Sequence, residues 1–214
     1  MHVVITGTSR GIGAELDAQL RAEGHEVSGT SRSGNEGIAL DVTDAQAQAA
    51  MAHSLDCRAV DLLICNAGIY PDKGQNLADG FPPQLWANTF AVNVTGVFLT
   101  VQALLPNLQL AGTPKIAIIS SRLGSSDQAA GGSYIYRASK AAALNLGRNL
   151  AVDLAHLGIA VGIYHPGWVR TDMGGPQGEI EAKDSAAGLI AEFERLSLAT
   201  TGSFRTWDGR DLPF

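Results

Sequence analysis

The sequence predicts a doubly wound α/β fold, with a parallel sheet of about seven strands covered by helices on both faces, in a single domain over residues 1–214. Three observations lead to this prediction. Short β-branched runs alternate with longer helical patterns along the whole chain. The runs are almost continuously apolar, as expected of parallel strands that are buried on both faces. The first run leads into a glycine-rich loop and a helix, and right-handed crossovers then build a Rossmann-type sheet.

Each element follows from its local pattern. Strands are expected at residues 2–6, 26–30, 38–40, 61–65, 115–120, 159–164 and 203–206. Helices are expected where apolar residues recur at helical spacing, at residues 12–23, 44–53, 84–105, 132–157 and 182–197. The glycine- and proline-bearing stretches 70–83 and 174–178 are expected to be surface loops near a binding crevice rather than domain boundaries.

Composition argues against several kinds of partner. The formal net charge of −6 disfavours nucleic acid, since phosphate binding requires a basic face. No apolar stretch of about 18 residues and no targeting segment stands out, so we expect a cytoplasmic protein without a membrane partner. The two cysteines make no disulfide framework, and the five histidines lack metal-ligand spacing, so we expect no metal site.

The loop at residues 6–13, with the sequence T-G-T-S-R-G-I-G, predicts a dinucleotide site. Glycines let backbone N–H groups approach a pyrophosphate, and the next helix points its positive end at that anion. An ordinary glycine-rich turn is the alternative, but this loop follows a strand and opens a helix. The expected contacts are Gly7, Ser9, Arg10, Gly11, Ile12 and Gly13.

The residues after the second strand favour NADP(H) over NAD(H). The acidic residue that binds an NAD ribose is missing there, and the sequence is T-S-R-S. Arg32 can pair with a 2′-phosphate, Ser31 can donate to it, and Arg10 can approach it from the other side. The alternative is that both arginines are solvated surface residues.

Tyr136 and Lys140 are the candidates for acid–base chemistry. A separation of four residues places them on one face of a helix. A phenol titrates near 10, and a neighbouring ammonium and an oxidised nicotinamide favour its charged form, so we expect a pKa lowered by about two to three pH units. Ser120 and Ser121 end the strand before this helix, where a hydroxyl can hydrogen-bond a substrate carbonyl.

In their order and spacing, the loop G-x-x-x-G-x-G, the serine pair and the Y-x-x-x-K motif resemble the short-chain dehydrogenase/reductase family, in its simple, non-extended branch. Tyr136 stands fifteen residues after Ser121, whereas thirteen is common in that family; Tyr134 stands at thirteen, but Ala138 follows it at the lysine position. A longer loop at 124–133 and the segment H-P-G-W-V-R-T-D-M at 165–173 are similar to carbonyl reductases of the C-factor and sniffer type.

The resemblance implies roles for further residues. Ser121 rather than Ser120 would contact the substrate, and Asn93 would hold a water near Lys140, although a purely structural amide is also open. Asp41 would contact the adenine or would simply be an acid at a helix start. The remaining implied cofactor contacts are Val42, Asn66, Ala67, Gly68, Tyr136, Lys140, Pro166, Gly167, Val169 and Thr171.

The implied activity is hydride transfer between NADP(H) and a small carbonyl or alcohol, with Tyr136 as general acid/base. The alternative is an NADP(H)-binding sensor or signalling protein that needs little turnover. The resemblance also implies a homodimer or homotetramer. We expect the substrate pocket to form from the loop after Gly124, from Tyr134 and from the segment after Thr171.

Overall fold

The computed structural model describes residues 1–35 and 37–214 and confirms the predicted fold class. Among these residues, seven parallel strands form one sheet in the order β3-β2-β1-β4-β5-β6-β7. The strands are β1 (His2–Thr6), β2 (Glu26–Ser31), β3 (Ile38–Ala39), β4 (Leu62–Cys65), β5 (Lys115–Ile119), β6 (Ala160–His165) and β7 (Phe204–Thr206).

Helices cover both faces of the sheet. They are α1 (Gly11–Ala22), α2 (Ala45–Ser54), α3 (Pro83–Phe90), α4 (Gly96–Gln109), α5 (Tyr134–Leu154) and α6 (Ala182–Arg195). Leu20 of α1 and Phe193 of α6 are buried against one face. Leu104 of α4 and Leu150 of α5 are buried against the other. Every residue of β1, β4 and β6, which lie between these two layers, is buried, and this explains the near-continuous apolar sequences of these strands.

The sheet order reverses between β1 and β4, and this reversal positions the site. All strands are parallel, so the loops after β1, β4, β5 and β6 leave the same edge of the sheet. Open α/β sheets bind ligands in the crevice at this reversal, outside the carboxyl ends of the strands. The glycine loop, the segment 66–68, the serine pair and the segment 165–173 therefore meet at one edge.

Two predicted helices differ from the structure. The helix expected at 84–105 extends from Pro83 to Gln109, and a π-helical segment, Ala91–Thr95, separates α3 from α4. The helix expected at 132–157 begins at Tyr134, because Ser133 adopts a left-handed conformation with φ of 45°. It ends at Leu154, and a 3-10 turn follows it.

The prediction that no apolar stretch of about 18 residues stands out as a candidate membrane span is wrong. Within the described residues, the continuous helical run Pro83–Gln109 is long and apolar enough to cross a membrane, with a mean hydropathy of 1.5. Core helices pass the same test, and Val101, Leu104 and Leu108 of this run pack in the core beneath the sheet.

Candidate active site

Tyr136 and Lys140 lie one turn apart on α5 and are both buried, with exposed fractions of 7% and 5%. Nζ of Lys140 lies 5.7 Å from the centroid of the Tyr136 ring. The same ammonium donates a hydrogen bond of 2.9 Å to the carbonyl oxygen of Ile119, the last residue of β5. The structure therefore brings the predicted pair together at the carboxyl edge of the sheet.

Burial controls the acidity of both groups. Loss of hydration raises the pKa of the Tyr136 phenol well above its ordinary value; hydrogen bonding with Ser121 opposes this rise, and Tyr70 and Asp72 add to it. Loss of hydration also lowers the pKa of Lys140 to about 8. The expected lowering of the phenol pKa is therefore not found in the protein alone, because desolvation outweighs the hydrogen bond with Ser121.

The two serines after β5 have different environments. Oγ of Ser120 donates a hydrogen bond of 3.0 Å to the carbonyl oxygen of Lys140, so this hydroxyl is tied to the backbone of α5. Oγ of Ser121 accepts a hydrogen bond of 3.1 Å from the backbone N–H two residues further on. Its own proton can still be donated toward Tyr136. This arrangement supports Ser121 over Ser120 as the serine that contacts a substrate.

Gly124 lets the serine-bearing segment lie directly against α5. A Cβ at this position would stand 2.6 Å from the carbonyl carbon of Lys140. A packed interior cannot absorb such an overlap without moving the backbone. Glycine is therefore required for the close contact that holds Ser121 beside the helix carrying Tyr136.

Asn93 sits in the π-helical segment and is 1% exposed. Its Nδ2 donates to the carbonyl oxygen of Ile69 at 2.9 Å and to Oγ of Ser139 at 3.0 Å. Its Oδ1 accepts from the N–H of Ile69 at 2.9 Å. The amide thus clamps the loop after β4 to α5, which favours a structural role. Its water-holding role stays a prediction.

The glycine loop and the segment after β4 form one backbone cradle. Nδ2 of Asn66 donates to the carbonyl oxygens of Thr6 and Gly7, at 3.0 and 2.9 Å. Oγ1 of Thr6 accepts from the N–H groups of Asn66 and Ala67, both at 3.0 Å. A Cβ at Gly13 would stand 2.1 Å from the oxygen of Gly7, so only glycine fits there. The cradle presents the start of α1 at the sheet edge, an arrangement that suits a pyrophosphate.

Distant segments also reach this cradle. A Cβ at Gly11 would stand 3.3 Å from Cγ2 of Thr171, so the segment after β6 covers the loop. A Cβ at Gly68 would stand 3.5 Å from Nζ of Lys140 and 3.3 Å from Oδ1 of Asn93. The dinucleotide cradle and the acid–base pair therefore share a single crevice.

The residues predicted to select the 2′-phosphate lie at the outer end of the crevice. Ser9, Arg10 and Arg32 are exposed. Nη1 of Arg10 forms an ion pair of 2.8 Å with Asp172, and both side chains are 74% exposed. Such a solvated pair contributes only about 0–1 kcal/mol, so Arg10 can exchange its partner for a phosphate. Ser31 ends β2, and its Oγ lies 3.4 Å from that of Ser33.

Asp41 and Val42 occupy the turn before α2. Oδ1 of Asp41 accepts hydrogen bonds from the N–H and Oγ1 of Thr43, at 2.9 and 2.7 Å, and these bonds lower the pKa of Asp41. The N-cap of α2 is Asp44, so Asp41 is an acid in the preceding turn and not the helix cap. Val42 is buried in the core. The adenine contact of both residues stays a prediction.

The segment after β6 runs along the same edge. Oγ of Ser185 on α6 donates to the carbonyl oxygen of Pro166 at 2.6 Å. Val169 is buried, and Thr171 lies against the glycine loop. The segment that contains Gly167 is thus anchored at both ends above the crevice, where a nicotinamide is expected.

Comparison with known proteins assigns the family. The family model described as short chain dehydrogenase matches residues 1–182. The chain belongs to this family.

Three known proteins illustrate how close the likeness is. C-signal of Myxococcus xanthus is 36% identical over 157 residues, which cover 72% of this chain and 93% of that protein. The NADPH-bound carbonyl reductase from chicken fatty liver is 29% identical, with a TM-score of 0.91. The match covers 100% of this chain and 98% of that protein. Carbonyl reductase Sniffer of D. melanogaster is 26% identical, with a TM-score of 0.93. The match covers 100% of this chain and 99% of that protein.

In this short chain dehydrogenase, a polar cavity of about 260 Å³ lies at the carboxyl ends of β6 and β7, and its lining includes Arg122, the residue that follows the serine pair. Its lining includes Gln128 from the loop after Gly124, and Trp168 and Ile180 from the segment around Thr171. The third wall was not predicted from the sequence. It comes from the end of β7 and the chain that follows it, through Thr206, Trp207, Arg210, Asp211 and Leu212.

Tyr134 does not behave as expected of a pocket residue. It is 39% exposed, and its ring packs edge to face against Phe81, with 5.2 Å between the centroids. Tyr70 and Asp72, which sequence analysis also missed, instead contact the first turn of α5. Both lie in a predicted surface loop, where no periodic pattern indicates burial.

Proposed function

We propose that this short chain dehydrogenase reduces a small carbonyl compound with NADPH. The observation that carries the proposal is the buried pair of Tyr136 and Lys140, with Ser121 beside it, at the sheet edge where the dinucleotide cradle ends. A proton donor, a hydroxyl and an ammonium in one partly dry crevice are the groups that a carbonyl reduction requires.

The residues at the cradle fit a dinucleotide phosphate. A Cβ at position 13 would collide with the oxygen of Gly7, so the glycine lets the start of α1 pack closely against the loop. The N–H groups at this helix start can then face a pyrophosphate. Arg32 follows β2 where an NAD site would carry an acid, and a guanidinium complements a 2′-phosphate. The NADPH-bound chicken carbonyl reductase, which has the same fold over its full length, adds support.

The proposed reduction divides the chemistry among three side chains. Tyr136 donates its phenolic proton to the carbonyl oxygen, while Ser121 donates a hydrogen bond to the same atom. A bound NADPH supplies the hydride that adds to the carbonyl carbon. The raised pKa of Tyr136 suits this direction, because the phenol is fully protonated at neutral pH.

Lys140 stabilises the phenolate that remains on Tyr136 and would bind the ribose hydroxyls. With a pKa of about 8, its ammonium persists at pH 7 and is lost as the pH rises through 8. Asn93 would support the water that returns a proton to the phenolate.

A signalling protein is the second candidate function, and the 36% identity with C-signal is the observation that favours it. In that case NADP(H) binding would suffice and no carbonyl would be turned over.

The test is to follow NADPH absorbance while the purified protein is mixed with a panel of aldehydes, ketones and quinones, with NADH as the control. We expect oxidation of NADPH, faster than that of NADH, with at least one compound. Binding of NADPH without turnover of any compound would favour the signalling candidate.

A further inference from the structure

The first turn of α5, which carries Tyr136, is capped by a residue from another part of the chain. Ser133 occupies the N-cap position in a left-handed backbone conformation, and its side chain accepts no hydrogen bond from the helix. Oδ2 of Asp72 replaces it and accepts from the N–H groups of Ile135 and Tyr136, at 2.9 and 3.3 Å. Asp72 is 1% exposed.

Tyr70, two residues earlier in the same loop, contacts the reactive ring directly. Its ring stacks on that of Tyr136, with centroids 4.0 Å apart and an interplanar angle of 20°. Its hydroxyl is hydrogen-bonded to Oγ of Ser133 at 2.5 Å. The loop therefore holds both the backbone and the ring of Tyr136, and no other described residue caps this helix.

The capping carboxylate is in an unusual environment. Its second oxygen, Oδ1, is buried and accepts no hydrogen bond from the described part of the chain. The positive end of α5, a helix of 21 residues, faces this carboxylate and compensates part of the cost of its burial. A buried carboxylate oxygen without a partner calls for an explanation, and a role at the site is one.

We propose that Asp72 is a positioning residue for Tyr136: through the first turn of α5 it fixes the orientation of the phenol and holds a negative charge close to it. This inference rests on the proposed function, in which Tyr136 is the general acid/base. It follows from the two backbone hydrogen bonds and from the ring stack that the same loop provides.

The groups that face Tyr136 determine how loss of Asp72 would change the pKa of the phenol. Lys140 is the cation on the same helix, Ser121 is the neutral hydrogen-bonding group after β5, and Tyr70 and Asp72 come from the loop. The negative charge of Asp72 opposes formation of the phenolate, so it raises the pKa of Tyr136. Its removal should make the phenol more acidic.

Two variants separate the positioning effect of Asp72 from the effect of its negative charge. Asp72→Ala removes both hydrogen bonds, and kcat should fall by about tenfold or more with a smaller change in KM, because the proton donor is misplaced. Asp72→Asn keeps one acceptor oxygen and removes the charge, so kcat at neutral pH should largely recover. In the alcohol-oxidation direction, where the phenolate is needed, the rising limb of the pH profile of Asp72→Asn should move about one unit to lower pH.

Asp44→Asn is the matched control, since Asp44 caps α2 far from Tyr136. It should leave kcat and the pH limb at their wild-type values. A pH limb of Asp72→Asn that coincides with wild type, or a wild-type kcat in a folded Asp72→Ala, would overturn the inference. If Asp72→Ala does not fold, the pH limb of Asp72→Asn decides alone. Wild-type protein that turns over no carbonyl would instead defeat the proposed function, and this inference with it.

Discussion

At the scale of single residues, burial sets the protonation of the candidate acid–base pair. Tyr136 loses its hydration and stays protonated, while Lys140 loses part of its basicity in the same environment. Because of these opposite pKa shifts, a phenol that keeps its proton lies one helical turn from an ammonium that gives up its proton more readily than usual. The sequence motif predicts the partners, but only the packing around them decides the direction of each pKa shift.

Arg32 is the residue whose substitution should reveal the cofactor preference. Arg32→Ala should weaken NADPH binding by about 10- to 100-fold, because a charge-assisted hydrogen bond contributes about 1.5–3 kcal/mol. NADH binding should hardly change, since it has no 2′-phosphate. Fluorescence titration with each nucleotide measures both affinities.

Arg58→Ala provides the control for loss of an exposed arginine. Arg58 pairs with Glu26 at the start of β2, on the opposite edge of the sheet. Equal losses of NADPH and NADH affinity in Arg32→Ala, or no loss of either, would contradict the assignment of Arg32 to the 2′-phosphate.

At the scale of elements, interruptions of regular structure mark the site. The π-helical segment places the amide of Asn93 against both the loop after β4 and α5, and such segments are frequent at functional sites. Strand β6, in contrast, is regular and fully buried up to His165. His165 ends this strand, lines the polar cavity, and has a buried Nδ1 without a hydrogen-bond partner among the described residues.

His165 should make the protein sensitive to acid. Loss of hydration lowers its pKa to about 4, with a further contribution from Arg122 and Arg210. Because the folded pKa lies below the unfolded value of about 6.5, the unfolded chain takes up the proton first as the pH falls. Stability is therefore lost between about pH 6.5 and pH 4, by about 2 kcal/mol at pH 5.

Urea unfolding at pH 7 and pH 5 tests this effect. His165→Asn should lose about 2 kcal/mol less stability than wild type between the two pH values. His53→Asn, on the exposed face of α2, is the matched control for loss of an imidazole. The same pH dependence in wild type and His165→Asn would show that the imidazole is not desolvated as described.

At the scale of the whole molecule, the parallel sheet explains why separate motifs act together. Loops after β1, β4, β5 and β6 leave one edge, so residues as far apart as Gly11 and Thr171 come into contact. This convergence follows from strand periodicity and crossover handedness, which is why the fold and the positions of Tyr136 and Lys140 could be predicted from the sequence.

The remaining features depend on contacts without a local pattern. Asp72 caps a helix that begins 62 positions later in the chain, and nothing in its own neighbourhood indicates that pairing. Asn93, within the π-helical segment, is bonded to a distant loop, and no local pattern indicates that partner. The cavity wall after β7 likewise forms only when the last strand joins the sheet.

In the proposed reaction, Tyr136 transfers the proton in an NADPH-dependent carbonyl reduction. The most direct measurement compares kcat of wild type and Tyr136→Phe on a carbonyl that wild type reduces, together with NADPH affinity by fluorescence. We expect kcat to fall by about 10²- to 10⁴-fold. The affinity for NADPH should stay within about threefold of the wild-type value, a change of less than 1 kcal/mol in binding free energy. Wild-type turnover by Tyr136→Phe would contradict the account.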